Sequence, residues 1–177
     1  AIPIEPRQRS TSSILSTYFP QPGLEVSLHN LLDLMLTQSD NTATDVILEA
    51  IGGPATVQGC LQEAGVQDMR VDRSTAQILR QYAGVPEPTD PAVSFHEQFT
   101  GMMQRAEATA YFMDGGGAPY QAFERDPQDH ATPAAMTRLL EVLWQDEWLS
   151  PASGAVLRDI LGRSGEPVRL GRGLPSG

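Results

Sequence analysis

Ser39, Asp40 and Asn41 place a hydroxyl, a carboxylate and a carboxamide on three consecutive residues between two apolar runs. A hydroxyl both donates and accepts a hydrogen bond, the property a proton relay requires. The same three residue types also satisfy the unpaired N–H groups at the start of a helix, so the triplet alone fits a plain cap as well. The other reactive side chains are more easily bounded. His29, His96 and His130 have no metal-binding spacing such as H-E-x-x-H, and His29 lies on a helix flank as a surface or capping residue. Cys60 is the single cysteine, so this chain forms no internal disulfide or thiolate cluster, and its place on an apolar stripe predicts a core thiol.

All twelve basic residues are arginine. Without lysine the chain cannot supply a Walker phosphate loop, a Schiff base or a Ser-Lys acyl-transfer centre. Gly115–Gly117 reads as a flexible turn and not a phosphate cradle, and no cofactor or metal is expected. A formal net charge of −10 opposes a nucleic-acid or anionic-membrane partner. No apolar run approaches the roughly 18 residues of a membrane span. At 177 residues the chain is long enough for one domain with its own core.

The elements that must position Ser39–Asn41 are helical. Leu28, Leu31, Leu32 and Met35 recur at helical spacing behind a Ser27 cap, and Ala43, Val46, Ile47, Ala50 and Ile51 form the next stripe. Gly52-Gly53-Pro54 breaks that helix and starts a third, with Val57, Cys60, Leu61 and Ala64 on one face. Residues 66–73 read as extended. A short helix is expected over Ala76–Tyr82, then a turn at Val85–Pro88. A longer helix is expected from Pro91, with Phe95, Phe99, Met102, Met103 and Ala106 as its stripe and Ile78, Leu79 and Tyr82 opposite, broken at Asp114–Gly117. Thr132-Pro133 and Ser150-Pro151 each start a helix, with Met136, Leu139, Leu140 and Leu143 facing inward in the first and Val156, Leu157, Ile160 and Leu161 in the second. The fold class is mainly α.

The stretch Leu34–Asp45, with S-D-N followed by Thr42-Ala43 and then Gly52-Gly53-Pro54, resembles the class A β-lactamase and penicillin-binding-like serine hydrolase family. Val71-Asp72-Arg73 resembles that family's strand into its Ω loop, and Asp129–Met136, a D-x-x-T-P-A-A-M sequence, resembles the loop's exit. Ser13–Leu15, Pro22–Leu24 and Leu170–Gly177 resemble the flanking segments, so the likeness covers most of the chain outside residues 74–128. The resemblance implies the helical lobe of the β-lactamase/transpeptidase-like α+β fold with an enlarged Ω-loop insertion. It divides the chain into an extended lead-in (1–26), the S-D-N helices (27–73), the insertion (74–128) and C-terminal helices (129–177).

The resemblance further implies acyl-enzyme chemistry on β-lactams or peptidoglycan-type amides and esters, in a periplasmic or secreted bacterial protein. Ser39 matches the serine that relays a proton to the leaving nitrogen, Asn41 the asparagine that binds the substrate's acyl-amide, and Asp40 the aspartate that fixes the loop. Arg73 and Asp129 match the pair that closes the loop neck, expected as a bidentate clasp. The departures are as informative. There is no S-x-x-K and no K-T-G, which would place the nucleophile helix before Ala1 and the K-T-G strand after Gly177. This chain is then an inactive fragment, whose exposed sheet-facing surface predicts a homo-oligomer. Thr75 stands at the position of the deacylation glutamate, so rapid turnover requires an acid elsewhere, such as Glu87 or Glu124. A D-alanyl carboxypeptidase or esterase without β-lactamase turnover is the alternative within the family. A non-catalytic helical binding module is the alternative outside it.

Overall fold

The computed structural model describes residues 1–104 and 117–163. Its only sheet among these residues pairs β1 (Ile2–Pro3) antiparallel with β2 (Glu25–Val26), Ile2 opposite Val26. Between them lie a 3-10 turn at Pro6–Gln8 and the short helix α1 (Ile14–Tyr18). Then come α2 (Leu28–Gln38), α3 (Asn41–Ala50) and α4 (Pro54–Glu63). α5 (Thr75–Ala83), α6 (Phe95–Met103) and α7 (Gly117–Glu124) occupy the insertion, followed by α8 (Pro133–Trp144) and α9 (Pro151–Arg163).

Local chemistry explains most helix starts. Ser27 caps α2, its hydroxyl accepting from Asn30 N–H at 3.2 Å, and Thr132 caps α8 the same way with Pro133 at the first helical position. Ser74 with Gln77 and Ser94 with Glu97 form capping boxes for α5 and α6. Gly53, at φ 87°, takes a backbone conformation that a side chain would strain just before Pro54 opens α4. The expected helix start at Pro91 is corrected to Phe95, because the Ser94 capping box fixes the first turn. α1, capped by Ser13, had no apolar periodicity to reveal it.

The core forms three clusters. Ile4, Leu15, Leu31, Ala43, Val46 and Ile47 join β1, α1, α2 and α3. Leu61, Val66, Met69 and Ala135 join α4 and the extended 66–71 segment to α8. That segment pairs with the α8 approach through an isolated bridge between Met69 and Ala131. Ala83, Val85 and Phe95 form the core of the insertion, with Leu79, Phe99 and Met102 packed against them. Among its described residues the insertion is therefore helical with its own core, as expected for 55 residues, far beyond the about 6–16 of an Ω loop. α9 packs on α2, where Arg163 pairs with Asp33 at 2.9 Å. A Cβ at Gly154 would collide with the Asp146 carboxylate, so a side chain there would displace the Asp146–Arg158 ion pair.

Several stripe positions face solvent. Leu28 and Ile51 are exposed, as is Ala50, because they lie at the outer ends of α2 and α3. Met103 is exposed at the last turn of α6, and Ala106 and residues 114–116 lie outside the described residues. Tyr82, expected to face that stripe, is at the surface and packs edge-on to Tyr120 and Phe123 instead. The buried face of α8 is Ala135, Leu139 and Val142, at i, i+4 and i+7, and not one through Met136 and Leu140. A one-residue offset is a turn of about 100° around a helix. The small Ala135 fits against Leu61 and Met69, which leaves Met136 and Leu140 outside. In α9, Ile160 is buried and Val156 exposed. No helix among the described residues is long and apolar enough to cross a membrane.

Leu31→Ala should cost about 2–5 kcal/mol by cavity formation, whereas Leu140→Ala should stay within about 0.5 kcal/mol. Urea denaturation of both variants checks the rotated face of α8. A large loss in Leu140→Ala would restore the original register.

Candidate functional site

Ser39 ends α2 in the left-handed conformation, φ 53° and ψ 40°, with its side chain exposed. A non-glycine residue there carries about 1–3 kcal/mol of backbone strain and persists only where its surroundings over-determine it. Asp40 supplies that constraint. It is 1% exposed, and its Oδ1 accepts from Ala43 N–H at 2.9 Å, capping α3. Its Oδ2 accepts from Ile14 N–H at 2.6 Å and Leu15 N–H at 3.2 Å, the first turn of α1. Asp40 is thus both the cap its type suggests and the strut beneath the turn. Asn41, half-buried, donates from Nδ2 to Thr11 O at 2.8 Å, which orients its carboxamide. Thr42, fully buried, accepts from Ser10 N–H at 2.9 Å and shares a hydroxyl bond with Ser16 at 2.9 Å. The N-terminal segment is thereby tied to the turn at three successive residues.

The second cluster closes the loop neck. Arg73 Nε donates to Asp129 Oδ2 at 2.5 Å, and both side chains are 11% exposed. The expected bidentate pairing is corrected, because the guanidinium divides itself between two acids. Its NH1 reaches Asp126 at 3.1 Å, while the other Asp129 oxygen is occupied by the backbone N–H groups of Asp72, at 2.7 Å, and Arg73, at 3.1 Å. Asp129 N–H donates back to Asp72 Oδ2 at 3.0 Å, so the two strands of the neck are cross-tied. Asp129 also sits in the left-handed region, at φ 49°. Asp126 is held below the usual carboxylate range by the Gln128 N–H, then by the Gln81 amide and the Arg73 charge.

Asp45 joins the two clusters and was not singled out from sequence. It lies on α3 between Thr44 and Val46, buried, with Oδ1 accepting from Thr75 N–H at 2.7 Å and Oδ2 from Ala76 N–H at 2.9 Å. Burial pushes its carboxyl up from the ordinary aspartate range, against the pull of those hydrogen bonds. Its sequence signal is an acid flanked by the apolar stripe Ala43, Val46 and Ile47. Thr75, through these bonds, is held on α3 at the first turn of α5. An apolar cavity of about 420 Å³ lies between α2, α3 and the neck, lined by Met35, Ile47, Leu48 and Ile78 with Thr75 and Arg73 at its polar side. Ser39–Asn41 and Arg73–Asp129 remain separate hydrogen-bonded groups, connected through α3. His29 is exposed, Cys60 is a half-buried free thiol, and the described residues hold no group of three or more His, Cys, Asp or Glu suited to a metal.

A family model described as Beta-lactamase enzyme family matches residues 2–177. Beta-lactamase PSE-4 of Pseudomonas aeruginosa is 40% identical over 63 residues, 33% of this chain and 22% of that protein. Beta-lactamase CARB-4 of the same organism is 38% identical over 68 residues, 36% of this chain and 24% of that protein. Among solved structures, an ancestral (GNCA) class A beta-lactamase superposes with a TM-score of 0.64 at 26% identity, covering 99% of this chain and 51% of its own. TLA-1 extended spectrum beta-lactamase does so at 0.67 and 18%, covering 100% and 50%. The chain therefore spans about half the length of these structures, and its helices match the helical lobe of the class A beta-lactamase fold.

A double-mutant cycle on Arg73→Ala and Asp129→Ala should give a coupling of about 1–3 kcal/mol, and Arg73→Ala should speed limited proteolysis within 74–128 more than within 28–64. Independent effects and uniform cleavage would reduce the pair to two surface charges. For Asp45 the folded carboxyl titrates above its unfolded value, so its contribution to stability is fully present below the unfolded pKa and is lost as pH rises through the folded one. The stability of wild type relative to Asp45→Asn should accordingly fall from acid toward neutral pH, as urea midpoints on both sides of that range would show.

Proposed function

Because the chain belongs to the Beta-lactamase enzyme family, we propose that it serves acyl-enzyme hydrolysis of β-lactams or peptidoglycan-type amides and esters, in a periplasmic or secreted bacterial protein. Ser39 relays a proton to the leaving nitrogen, and its hydroxyl has the donor and acceptor capacity for that task. Asn41 binds the substrate's acyl-amide through its carboxamide, and Asp40 holds both residues in place. Arg73 and Asp129 close the loop that carries Thr75. The nucleophile and the lysines that activate it come from outside these 177 residues, since the chain contains no lysine.

The observation that carries this reading is the strained, exposed serine on a rigid support. Ser39 is held left-handed at the surface by a buried carboxylate that binds the first turns of two helices. Asp40 alone caps α3, and Ser39, the left-handed C-cap of α2, adds an exposed hydroxyl that neither cap requires.

Residues 1–177 alone should form no covalent adduct with penicillin by intact mass and should not hydrolyse a chromogenic cephalosporin. The full-length protein that carries them should be acylated, and Ser39→Ala should slow that step by about 10²–10⁴-fold, the usual contribution of a proton-transfer group. An adduct on 1–177, or unchanged acylation in Ser39→Ala, would leave Ser39 as part of a cap only.

A further inference from the structure

The apolar cavity of about 420 Å³ is walled by helices and by the loop neck. α2 supplies Met35, α3 supplies Ile47 and Leu48, and α4 supplies Val57. Val71 comes from the neck and Ile78 from the first helix of the insertion. A volume within about 300–1,000 Å³ and walls of this composition are those of a small-molecule site. The polar groups at its border are already engaged. The Thr44 hydroxyl donates to Asp40 O at 2.9 Å, Arg70 pairs with Asp72 at 2.5 Å, and Arg73 pairs with Asp129. A water molecule needs about two to four polar partners to settle in such a space, whereas an apolar guest needs only contact.

From this geometry we propose that the cavity is a binding site for a small, uncharged, apolar molecule whose presence restrains the neck. The proposal goes beyond the acyl-enzyme reading and does not depend on it. The class of ligand follows from the charges beside the cavity. Asp72, Asp126 and Asp129 stand against Arg70 and Arg73, and each guanidinium already has a carboxylate. An anionic head would meet a surplus of acids. A cationic head would give up its water for carboxylate oxygens that already accept other donors. An uncharged apolar body meets neither cost and matches the aliphatic walls. The restraint follows from where those walls come from. Val71 and Arg73 lie before the insertion, Ile78 within it and Asp129 after it. A molecule in contact with these walls binds only while the neck is closed on α3 and α4. By linkage it lowers the fraction of the protein in which residues 74–128 have come away.

The test uses the full-length protein with 1-octanol as the probe, and octanoate and octylammonium as charged counterparts of the same length. Titration calorimetry and saturation-transfer NMR should show 1-octanol bound at least about tenfold more tightly than either ion. At about ten times its Kd, 1-octanol should slow limited proteolysis within 74–128 by about tenfold. Ile78→Trp and Val57→Phe, which fill the cavity from α5 and from α4, should each weaken 1-octanol at least about tenfold with wild-type helicity by circular dichroism. If one of these variants loses its helicity, the other decides. Equal affinity for the three probes, or unchanged binding in a folded filled variant, means partition onto the surface and overturns the site. Absence of saturable 1-octanol binding by the wild type overturns it outright. Saturable binding with unchanged cleavage overturns the restraint. None of these outcomes bears on acylation by penicillin, which tests the acyl-enzyme reading by itself.

Discussion

Asp40 divides its two oxygens between the first turns of two helices. One caps α3, and the other holds the first two N–H groups of α1, 26 and 25 residues earlier in the chain. Few single groups in the fold constrain so much. The first turn of a helix presents N–H groups with no internal partner, and a buried carboxylate is stable only when such donors compensate for lost water. Each therefore needs the other. Removing the carboxylate would leave the Ile14, Leu15 and Ala43 N–H groups without their acceptor and release the left-handed backbone at Ser39. The exposed serine, the oriented amide of Asn41 and the placement of the N-terminal segment all depend on that one set of charge-assisted bonds.

The same device recurs twice. Asp45 binds the first turn of α5 through Thr75 and Ala76, and Asp129 binds the backbone of Asp72 and Arg73. Three aspartates thus join segments separated by 25 to 57 residues, each through backbone donors. Arginine completes the neck at Asp129, whereas burial pushes the Asp45 carboxyl up and the Gln128 N–H, then the Gln81 amide and the Arg73 charge, hold that of Asp126 down. The structural acids and the candidate site are therefore the same residues. Residues 74–128 are bounded by the Arg73–Asp129 ion pair, and α5 is seated on α3 by Asp45.

The insertion shows how packing overrules periodicity. Phe95, the most buried of its large side chains, accepts the Arg80 guanidinium over its ring at 5.2 Å, with Leu79, Phe99 and Met102 around it. Val85, which reads as part of a proline-rich turn, is buried in this cluster. Arg80 also donates to Gln98, so α5 and α6 are linked by polar as well as apolar contacts. On α8, choice between two overlapping apolar faces went to the one whose small residue fits, and Met136 and Leu140 remained in solvent.

Helix-forming stripes, caps and breaks are local, so the mainly α class, α2 to α5, the Ser27 and Thr132 starts and the Gly52-Gly53-Pro54 break are legible in the sequence, whereas the Ser74 capping box was not read there. The S-D-N triplet and the Arg73–Asp129 pair were legible because their residue types and order are distinctive. Packing between distant segments sets the rest: Arg73 is shared with Asp126, Asp40 reaches back to α1, and Asp45 accepts the Thr75 N–H. Those bonds join residues far apart in the chain, and an aspartate on a helix carries no mark of which distant N–H groups it will meet. Its partner is fixed by how the helices pack, and packing depends on volumes and faces that a linear pattern leaves degenerate.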